Sequence, residues 1–212
     1  MGRRRTRKYF LFARGPLAWL PYAHIAKSKT AQAALRAIAA LCLFDHEPRS
    51  EITDNLRMIP TILASLSHRH VGVRFAACQC VRVLGRAVKV IHTNIIDSGL
   101  GTTVFQIFKK QDEDRNVTNA ALSAVCNIVI DFSPLRPVRL TVCSWGSFTE
   151  LNLLLQDFME NGLVERLIQL LNTQDLELRL NSLWAVKNLL RKTTVETKKK
   201  VMSQLGWTWL SA

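Results

Sequence analysis

Histidines and cysteines near the middle of the chain are the first residues whose types could do chemistry. His68, His70, Cys78 and Cys80 offer the nitrogen and sulfur ligands that zinc prefers. The chain nevertheless has no CxxC pair and no second ligand cluster, and its five cysteines lie mostly in Ala-rich apolar runs such as AACQC. We therefore predict reduced, buried thiols, with no metal and no cofactor.

Paired carboxylates are the next candidates for chemistry. They occur only in polar runs such as QDEDR at 111–115, which are typical of solvated loops. The sequence shows no RING-like Cys/His array, no cysteine in a catalytic setting, and no Gly-rich phosphate loop after a strand. We predict that the protein is not an enzyme and that it takes no small-molecule substrate.

A tryptophan and an asparagine indicate binding instead of catalysis. Trp184 and Asn188 stand four residues apart in NSLWAVKNLL, so they share one face of a helix. We expect both side chains to project from the face opposite the apolar stripe and to contact a peptide or a partner subunit. A buried core position for Trp184 is the alternative.

These two residues belong to a pattern that recurs along the chain. Four segments align on a pair of small residues whose second members are 43, 44 and 61 residues apart: Ala34, Ala77, Ala121 and Ser182. A turn residue before a helix recurs in parallel, at spacings of 44, 63 and 44: Asn55, Gly99, Gly162 and Gly206. This period predicts stacked helical repeats, and the small residues let neighbouring helices approach closely.

Both spacings lengthen over the same interval, between Ala121 and Gly162. Subtracting 19 residues restores the period in each series, which predicts an insert at 138–156. Codons for VRLTVCSWGSFTELNLLLQ can begin with GT and end with AG, so we interpret the segment as a retained intron. The alternative is a genuine insertion that packs as an extra helix from about Phe148 to Gln156.

Apolar residues inside the repeats recur at helical spacing. In MIPTILASL (58–66) and LVERLIQLL (163–171) they form one broad stripe on a helix. A longer third helix follows, to which we assign an apolar stripe of five residues: Leu180, Leu183, Val186, Leu189 and Leu190. The predicted fold class is all-α, an armadillo-type right-handed superhelical solenoid of about three to four repeats.

The repeat alignment extends the candidate binding surface. Ser123 and Asn127 occupy the positions of Trp184 and Asn188 one repeat earlier, and Gln79 occupies the tryptophan position one repeat before that. We predict that all five of these residues bind a partner. Only one repeat has the complete Trp and Asn pair, whereas importin-α-like transport adaptors need such pairs in successive repeats.

Three stretches resemble one family: LWAVKNLLRK at 183–192, KKKVMSQLGW at 198–207 and VCNIVIDFSP at 125–134. They resemble the armadillo repeat-containing protein 8 family and its fungal vacuolar import and degradation counterpart. The resemblance implies a scaffold of a cytoplasmic and nuclear GID/CTLH-type ubiquitin ligase, which docks a substrate receptor onto the ligase core for proteasome-dependent degradation. The alternative function is an armadillo transport or membrane adaptor, either importin-α-like or vacuolar.

Members of that family are longer than this chain, which stops at Ala212 inside the predicted middle helix of a repeat. We therefore interpret the chain as a fragment. On this interpretation four apolar residues near its end lack a covering helix: Leu205, Trp207, Trp209 and Leu210.

Basic residues are concentrated at the N-terminus. Residues 1–44 hold nine Lys or Arg and no acid, and so carry most of the net charge of +13. A nucleic-acid-binding domain spreads its basic residues over one face, so we predict no nucleic-acid partner. No long apolar run predicts a transmembrane segment. We expect a poorly ordered basic segment at 1–28, whose MGRRRT start also fits lipidation, nuclear or organellar signals, followed by repeats at 29–212.

Overall fold

In the computed structural model, the residues described are 28–44, 46–55, 57–85, 98–131, 154–191 and 195–206. Most of them are helical, and these ranges contain no strand. The helices are α1 Ser28–Leu41, α2 His46–Asp54, α3 Met58–Leu66, α4 Val71–Leu84, α5 Leu100–Lys109, α6 Arg115–Asp131, α7 Leu163–Leu171, α8 Leu176–Arg191 and α9 Val195–Leu205. Residues 154–160 are also helical. Within these ranges, no helix combines the length and the apolar composition that crossing a membrane requires.

Four helices lie side by side in one row. α4 packs against α1 and α6, and α6 packs in turn against α8. A second layer lies behind this row, where α3 packs on α4, α5 on α6 and α7 on α8. α2 packs on α3, and α9 packs on α7. This stack of successive helical units confirms the all-α, armadillo-type fold that the repeat predicts.

The row helices begin with a recurring cap. His70 Nδ1 accepts a hydrogen bond from the Gly72 N–H at 3.2 Å at the start of α4. Asp114 and Asp175 do the same for α6 and α8, since one carboxylate oxygen of each accepts from backbone N–H groups of the first turn. Such caps satisfy N–H groups that have no partner within the helix. The three caps are 44 and 61 residues apart, so they reproduce the spacing of the small-residue pairs.

Glycines mark the turns between the first and second helices of the units. Gly99 precedes α5 with φ of 74°, Gly162 precedes α7 with φ of 90°, and Gly206 follows α9 with φ of 75°. Any other residue type strains the backbone at such angles, which explains glycine here. These three turn markers are confirmed. Asn55 turns the chain differently, because its Oδ1 accepts from the Arg57 N–H at 3.0 Å.

The small residues of the repeat lie where the row helices meet the rest of the core. All four are buried: Ala34, Ala77, Ala121 and Ser182. The backbones approach so closely that Cys80 Sγ of α4 donates to the Leu35 carbonyl of α1 at 3.0 Å. The close helix approach predicted from the small pairs is therefore confirmed.

The second layer buries the stripes that the sequence predicts. In α3 and α7 the buried members are Met58, Ile59, Ile62, Leu66, Leu163, Val164, Leu167 and Leu171, and the predicted members Leu63 and Ile168 are partly buried against the core. The helical segment 154–160 joins this core through Phe158, whose ring stacks on Phe105 of α5 with the two ring centroids 4.2 Å apart. Both phenylalanines are fully buried, so this pair stabilises the packing of one unit against the preceding one.

The stripe predicted for α8 is partly wrong. Leu180 is 49% exposed and Leu183 is 45% exposed. The buried residues of this helix are Leu178, Ser182, Ala185 and Leu189. Small residues fill much of the buried face, because the row helices pack closely there, and large leucines are left outside it.

The buried cysteines behave as predicted. Cys42, Cys78, Cys80 and Cys126 are free thiols in the core. Burial raises the pKa of Cys42, Cys78 and Cys126 to about 12, and that of Cys80 is raised as well. These thiols stay protonated and are poor nucleophiles at neutral pH. Cys143 lies outside the described residues.

Several predictions fall outside the described ranges. They concern the basic residues 1–27, residues 138–153 of the insert, and the apolar residues Trp207, Trp209 and Leu210. The remaining three residues of the insert belong to the helical segment 154–160, in which Leu154 is buried. Helix therefore crosses the boundary that we placed after Gln156, while the insert's origin and the division at residue 28 stay predictions.

Candidate partner-binding surface

The five predicted binding residues lie on three consecutive row helices. Gln79 is on α4, Ser123 and Asn127 are on α6, and Trp184 and Asn188 are on α8. All five are at least partly accessible to solvent. In α8, Trp184 lies on the side away from the buried Leu178, Ser182, Ala185 and Leu189, and Asn188 lies at the edge of that side. We call the side of the row that faces away from α3, α5 and α7 the row face.

Trp184 is the largest exposed side chain on the row face. It is 56% exposed, so the alternative of a buried core position does not hold. Lys187 Nζ lies over the indole ring, 4.0 Å from its centroid. This distance is within the range of a cation–π contact, which holds the ring and the ammonium group together on one helix turn. The lysine is a neighbour that the Trp and Asn pattern did not indicate.

Asn127 has a structural contact as well as access to solvent. Its Nδ2 donates to the Arg82 carbonyl of α4 at 2.7 Å. This bond ties α6 to α4 and uses one of the two amide hydrogens. The pattern in the sequence located Asn127 on the row face but not this partner, which belongs to another repeat.

A polar network joins α6 to α8 beside these residues. Asn181 Nδ2 donates to Asn119 Oδ1, and Asn119 Nδ2 donates to Glu177 Oε1, each at 2.6 Å. Arg115 contacts Glu177 at 3.3 Å and also bonds Asp175, the residue that caps α8. The hydrogen bond from Arg115 lowers the pKa of the Asp175 carboxyl. No spacing rule in the sequence points to this network, because it depends on contacts between repeats.

Exposed basic residues lie at both ends of the row. They are Lys29 and Arg36 on α1, and Lys187 and Arg191 on α8. The Arg36 guanidinium also lies 5.9 Å from the ring centroid of Phe75 on α4. The row face therefore combines basic ends with the amides of Gln79 and Asn127 on the two helices between them.

A concave feature lies away from the row face. It is a cleft of about 420 Å³ at the loops that precede α4 and α6. Arg74 and Glu113 line it and form an ion pair with a shortest distance of 2.6 Å. Arg74 also donates to the His68 and Arg69 carbonyls, so this ion pair holds two loops together. In the described part of the chain, no three His, Cys, Asp or Glu residues are grouped to hold a metal.

Comparison with protein families matches residues 158–191 to the Armadillo/beta-catenin-like repeat. That range contains α7, α8 and the complete Trp184 and Asn188 pair. Two solved structures share the fold. A designed armadillo repeat protein in complex with the peptide (KR)4 has a TM-score of 0.56 at 17% identity, with 91% of this chain and 88% of that one covered. An engineered protein has a TM-score of 0.64 at 18% identity, with coverage of 84% and 64%.

Two curated proteins resemble this chain in amino-acid sequence. Armadillo repeat-containing protein 8 of Danio rerio is 26% identical over 175 residues, which is 82% of this chain and 23% of the relative. GID complex subunit 5 of Schizosaccharomyces pombe is 28% identical over 163 residues, or 77% of this chain and 18% of the relative. The chain thus spans about a fifth of these proteins' length. The resemblance inferred from the sequence is confirmed by these matches.

Proposed function

We propose that this chain is a non-catalytic armadillo scaffold of a GID/CTLH-type ubiquitin ligase and that it docks a substrate receptor onto the ligase core. The names of the zebrafish and fission-yeast relatives support the complex. The armadillo fold supports a role in holding protein partners, because stacked repeats form long continuous surfaces. Such a role requires binding groups on that surface and no reactive side chain.

One observation carries the docking role: Trp184 is a large aromatic residue, 56% exposed, beside Asn188 on a face that no other helix covers in the described residues. Tryptophan is enriched among residues that dominate binding energy, because its ring removes a large apolar area from water on contact. Asn188 adds an amide that can bond the backbone of an extended segment. The designed armadillo neighbour that was solved with a peptide supports this mode of binding.

The proposal includes the organisation and location inferred from the sequence. The repeats at 29–212 would form the docking part, the residues at 1–28 a separate basic segment, and 138–156 a stretch foreign to the repeat. The ligase that contains this chain would direct protein degradation in the cytoplasm and the nucleus. The full ligase would contribute all catalysis, and this chain would contribute position only.

The experiment co-expresses the full chain with the receptor and core subunits of the corresponding ligase and measures capture of each subunit on the purified chain. Trp184→Ala should weaken receptor capture by at least about 30-fold, the effect of losing a binding hot spot of about 2 kcal/mol. Core capture should not change. Phe44→Ala is the matched control, since Phe44 is an aromatic residue that is 85% exposed in the turn after α1.

Three outcomes contradict the proposal at different points. If Trp184→Ala keeps its helicity and still captures the receptor as well as the wild type, Trp184 does not dock it. If the wild-type chain captures neither receptor nor core, the ligase function itself is wrong. Equal losses from Trp184→Ala and Phe44→Ala would mean that exposed aromatic residues bind the receptor non-specifically.

A further inference from the structure

The charge on the row helices is strongly one-sided. α1, α4, α6 and α8 together contain eight Lys or Arg and two acids, Glu177 and Asp131. Of the basic residues, two are tied to acids, since Arg74 pairs with Glu113, and Arg115 pairs with Asp175 and Glu177. Four others are exposed on the row face: Lys29, Arg36, Lys187 and Arg191.

The acid on α8 is already engaged. Glu177 Oε1 accepts from Asn119 at 2.6 Å, and Glu177 Oε2 lies 3.3 Å from Arg115. A basic ligand would have to compete with both contacts to use this carboxylate. Among the described side chains of the row helices, Glu177 is the one acid, so these side chains offer little to neutralise a positively charged partner.

The ring of Trp184 is also unsuited to a cationic ligand. Lys187 Nζ already lies 4.0 Å from the ring centroid and takes the place that a ligand's lysine or arginine would occupy on that side. A second cation brought there would repel the first. Lys187 is held at the ring with its positive charge exposed, so a carboxylate can approach it while apolar atoms of the ligand cover the free part of the indole.

From these contacts we infer that the row face binds an extended acidic peptide segment of the partner. This inference rests on the proposed docking function and specifies the chemistry of what is docked. Carboxylates of the segment meet Lys187 and Arg191 at one end and Lys29 and Arg36 at the other. Between them, the amide of Gln79 on α4 and the second amide hydrogen of Asn127 on α6 bond the backbone of the segment.

The dimensions fit a short peptide. Neighbouring packed helices are 8–10 Å apart, so the four-helix row spans about 25–30 Å between the axes of α1 and α8. An extended chain advances about 3.3 Å per residue, so about eight or nine residues bridge the two basic ends. Alternate side chains of such a chain face the same way, so every second residue can present a carboxylate to the row face.

The test measures fluorescence anisotropy of labelled peptides of about ten residues with the full chain. There are three peptides, and in each of them alanine alternates with one other residue, which is glutamate, glutamine or lysine. The glutamate peptide should bind at least about tenfold more tightly than either of the others, because several exposed ion pairs each add a small term. Binding should weaken as salt rises from about 0.1 M to 1 M, where screening shortens the range of charge interactions from about 10 Å to 3 Å.

A matched pair of variants separates a local site from the net charge of the chain. Lys187→Glu with Arg191→Glu should weaken binding of the glutamate peptide about tenfold. Arg57→Glu with Lys110→Glu makes the same change in net charge at exposed positions off the row, and should weaken it no more than about twofold. Circular dichroism and thermal unfolding confirm that both variants are folded.

Equal binding of the glutamate and lysine peptides, or equal losses in the two double variants, would overturn the inference. The ligase proposal is judged separately by subunit capture. If the receptor is captured while the glutamate peptide does not bind, the acidic specificity is wrong and the docking function stands. If the peptide binds as expected but no ligase subunit is captured, the ligase assignment fails and the acidic site stands.

Discussion

The stacked pair of Phe105 and Phe158 allows the joint between two units to be tested quantitatively. Both side chains are fully buried, and their ring centroids are 4.2 Å apart. Truncating a buried phenylalanine to alanine removes about 3–5 kcal/mol, through lost transfer energy and the cavity left behind. The stacking itself accounts for about 0.5–1.5 kcal/mol of this. Phe158→Ala should therefore reduce the free energy of unfolding by about 3–4 kcal/mol, and Phe158→Leu by about 1 kcal/mol.

The assay is urea unfolding followed by far-ultraviolet circular dichroism. With a slope of about 2 kcal/mol/M, in the middle of the range for small proteins, Phe158→Ala should lower the midpoint by about 1.5–2 M. Repeat proteins can unfold in parts, so hydrogen exchange of the α5 amides adds a local measurement. Those amides should lose protection in Phe158→Ala, because α5 supports the other ring. Phe44 is 85% exposed, so Phe44→Ala should change the free energy of unfolding by less than about 0.5 kcal/mol.

A midpoint for Phe158→Ala equal to that of Phe44→Ala, with unchanged exchange in α5, would refute the packing of segment 154–160 on α5. A loss in Phe158→Leu as large as in Phe158→Ala would show that ring shape rather than volume controls the joint. The ordering of the three variants therefore tests the mechanism as well as the contact.

Three further predictions concern a turn, an ion pair and the thiols. Gly162→Ala should reduce the free energy of unfolding by about 1–2 kcal/mol, and Gly162→Asn by less, because φ is 90°; equal thermal midpoints for both variants and the wild type would contradict this. Arg74→Ala leaves the largely buried Glu113 without its partner and should reduce the free energy of unfolding in urea by about 3 kcal/mol, whereas exposed Arg115→Ala should cause a clearly smaller loss; similar losses would refute the difference. The buried thiols of Cys42, Cys78 and Cys126 should resist alkylation at about pH 8 until the chain unfolds, and fast labelling of the folded chain would contradict this. The free energy of unfolding should fall above about pH 9, because there only the thiols of the unfolded chain ionise.

Local patterns predicted the second-layer helices well. The bounds of α3 and α7 coincide with the segments read from their apolar spacing, because one broad side of each helix faces the core. The glycine turns were also predictable, since a positive φ strongly selects for glycine. Both features depend on a few consecutive residues, so the linear sequence contains most of the information.

Contacts between repeats could not be predicted in the same way. The bond from Asn127 to the Arg82 carbonyl joins residues 45 positions apart, and the network around Asn119 joins residues about 60 positions apart. A polar residue at the right position in a repeat has several partners within reach, and only the packing of the helices decides among them. The same limit explains why Lys187 was not predicted as the neighbour of Trp184.

The spacing of the markers defines the length of the insert but not its ends. Any 19-residue segment between Ala121 and Gly162 restores the period equally well. Helix 154–160 crosses the end that we placed at Gln156, and Leu154 is buried. A foreign segment of the same length would satisfy both the markers and this helix if it ended before residue 154.

Leu183 and Trp184 of α8 are exposed for two different physical reasons. α4 packs against a row helix on each side, whereas in the described residues α8 packs against a row helix, α6, on the side of Asn181. Leu183 lies about 160° around the helix from Asn181, on the open side, so its exposure reflects the edge of the row. Trp184 faces away from the second layer, as Ser123 and Gln79 do on helices with row neighbours on both sides. A further row helix would cover Leu183 and leave Trp184 accessible, so the tryptophan's exposure is a property of the row face and not of its edge.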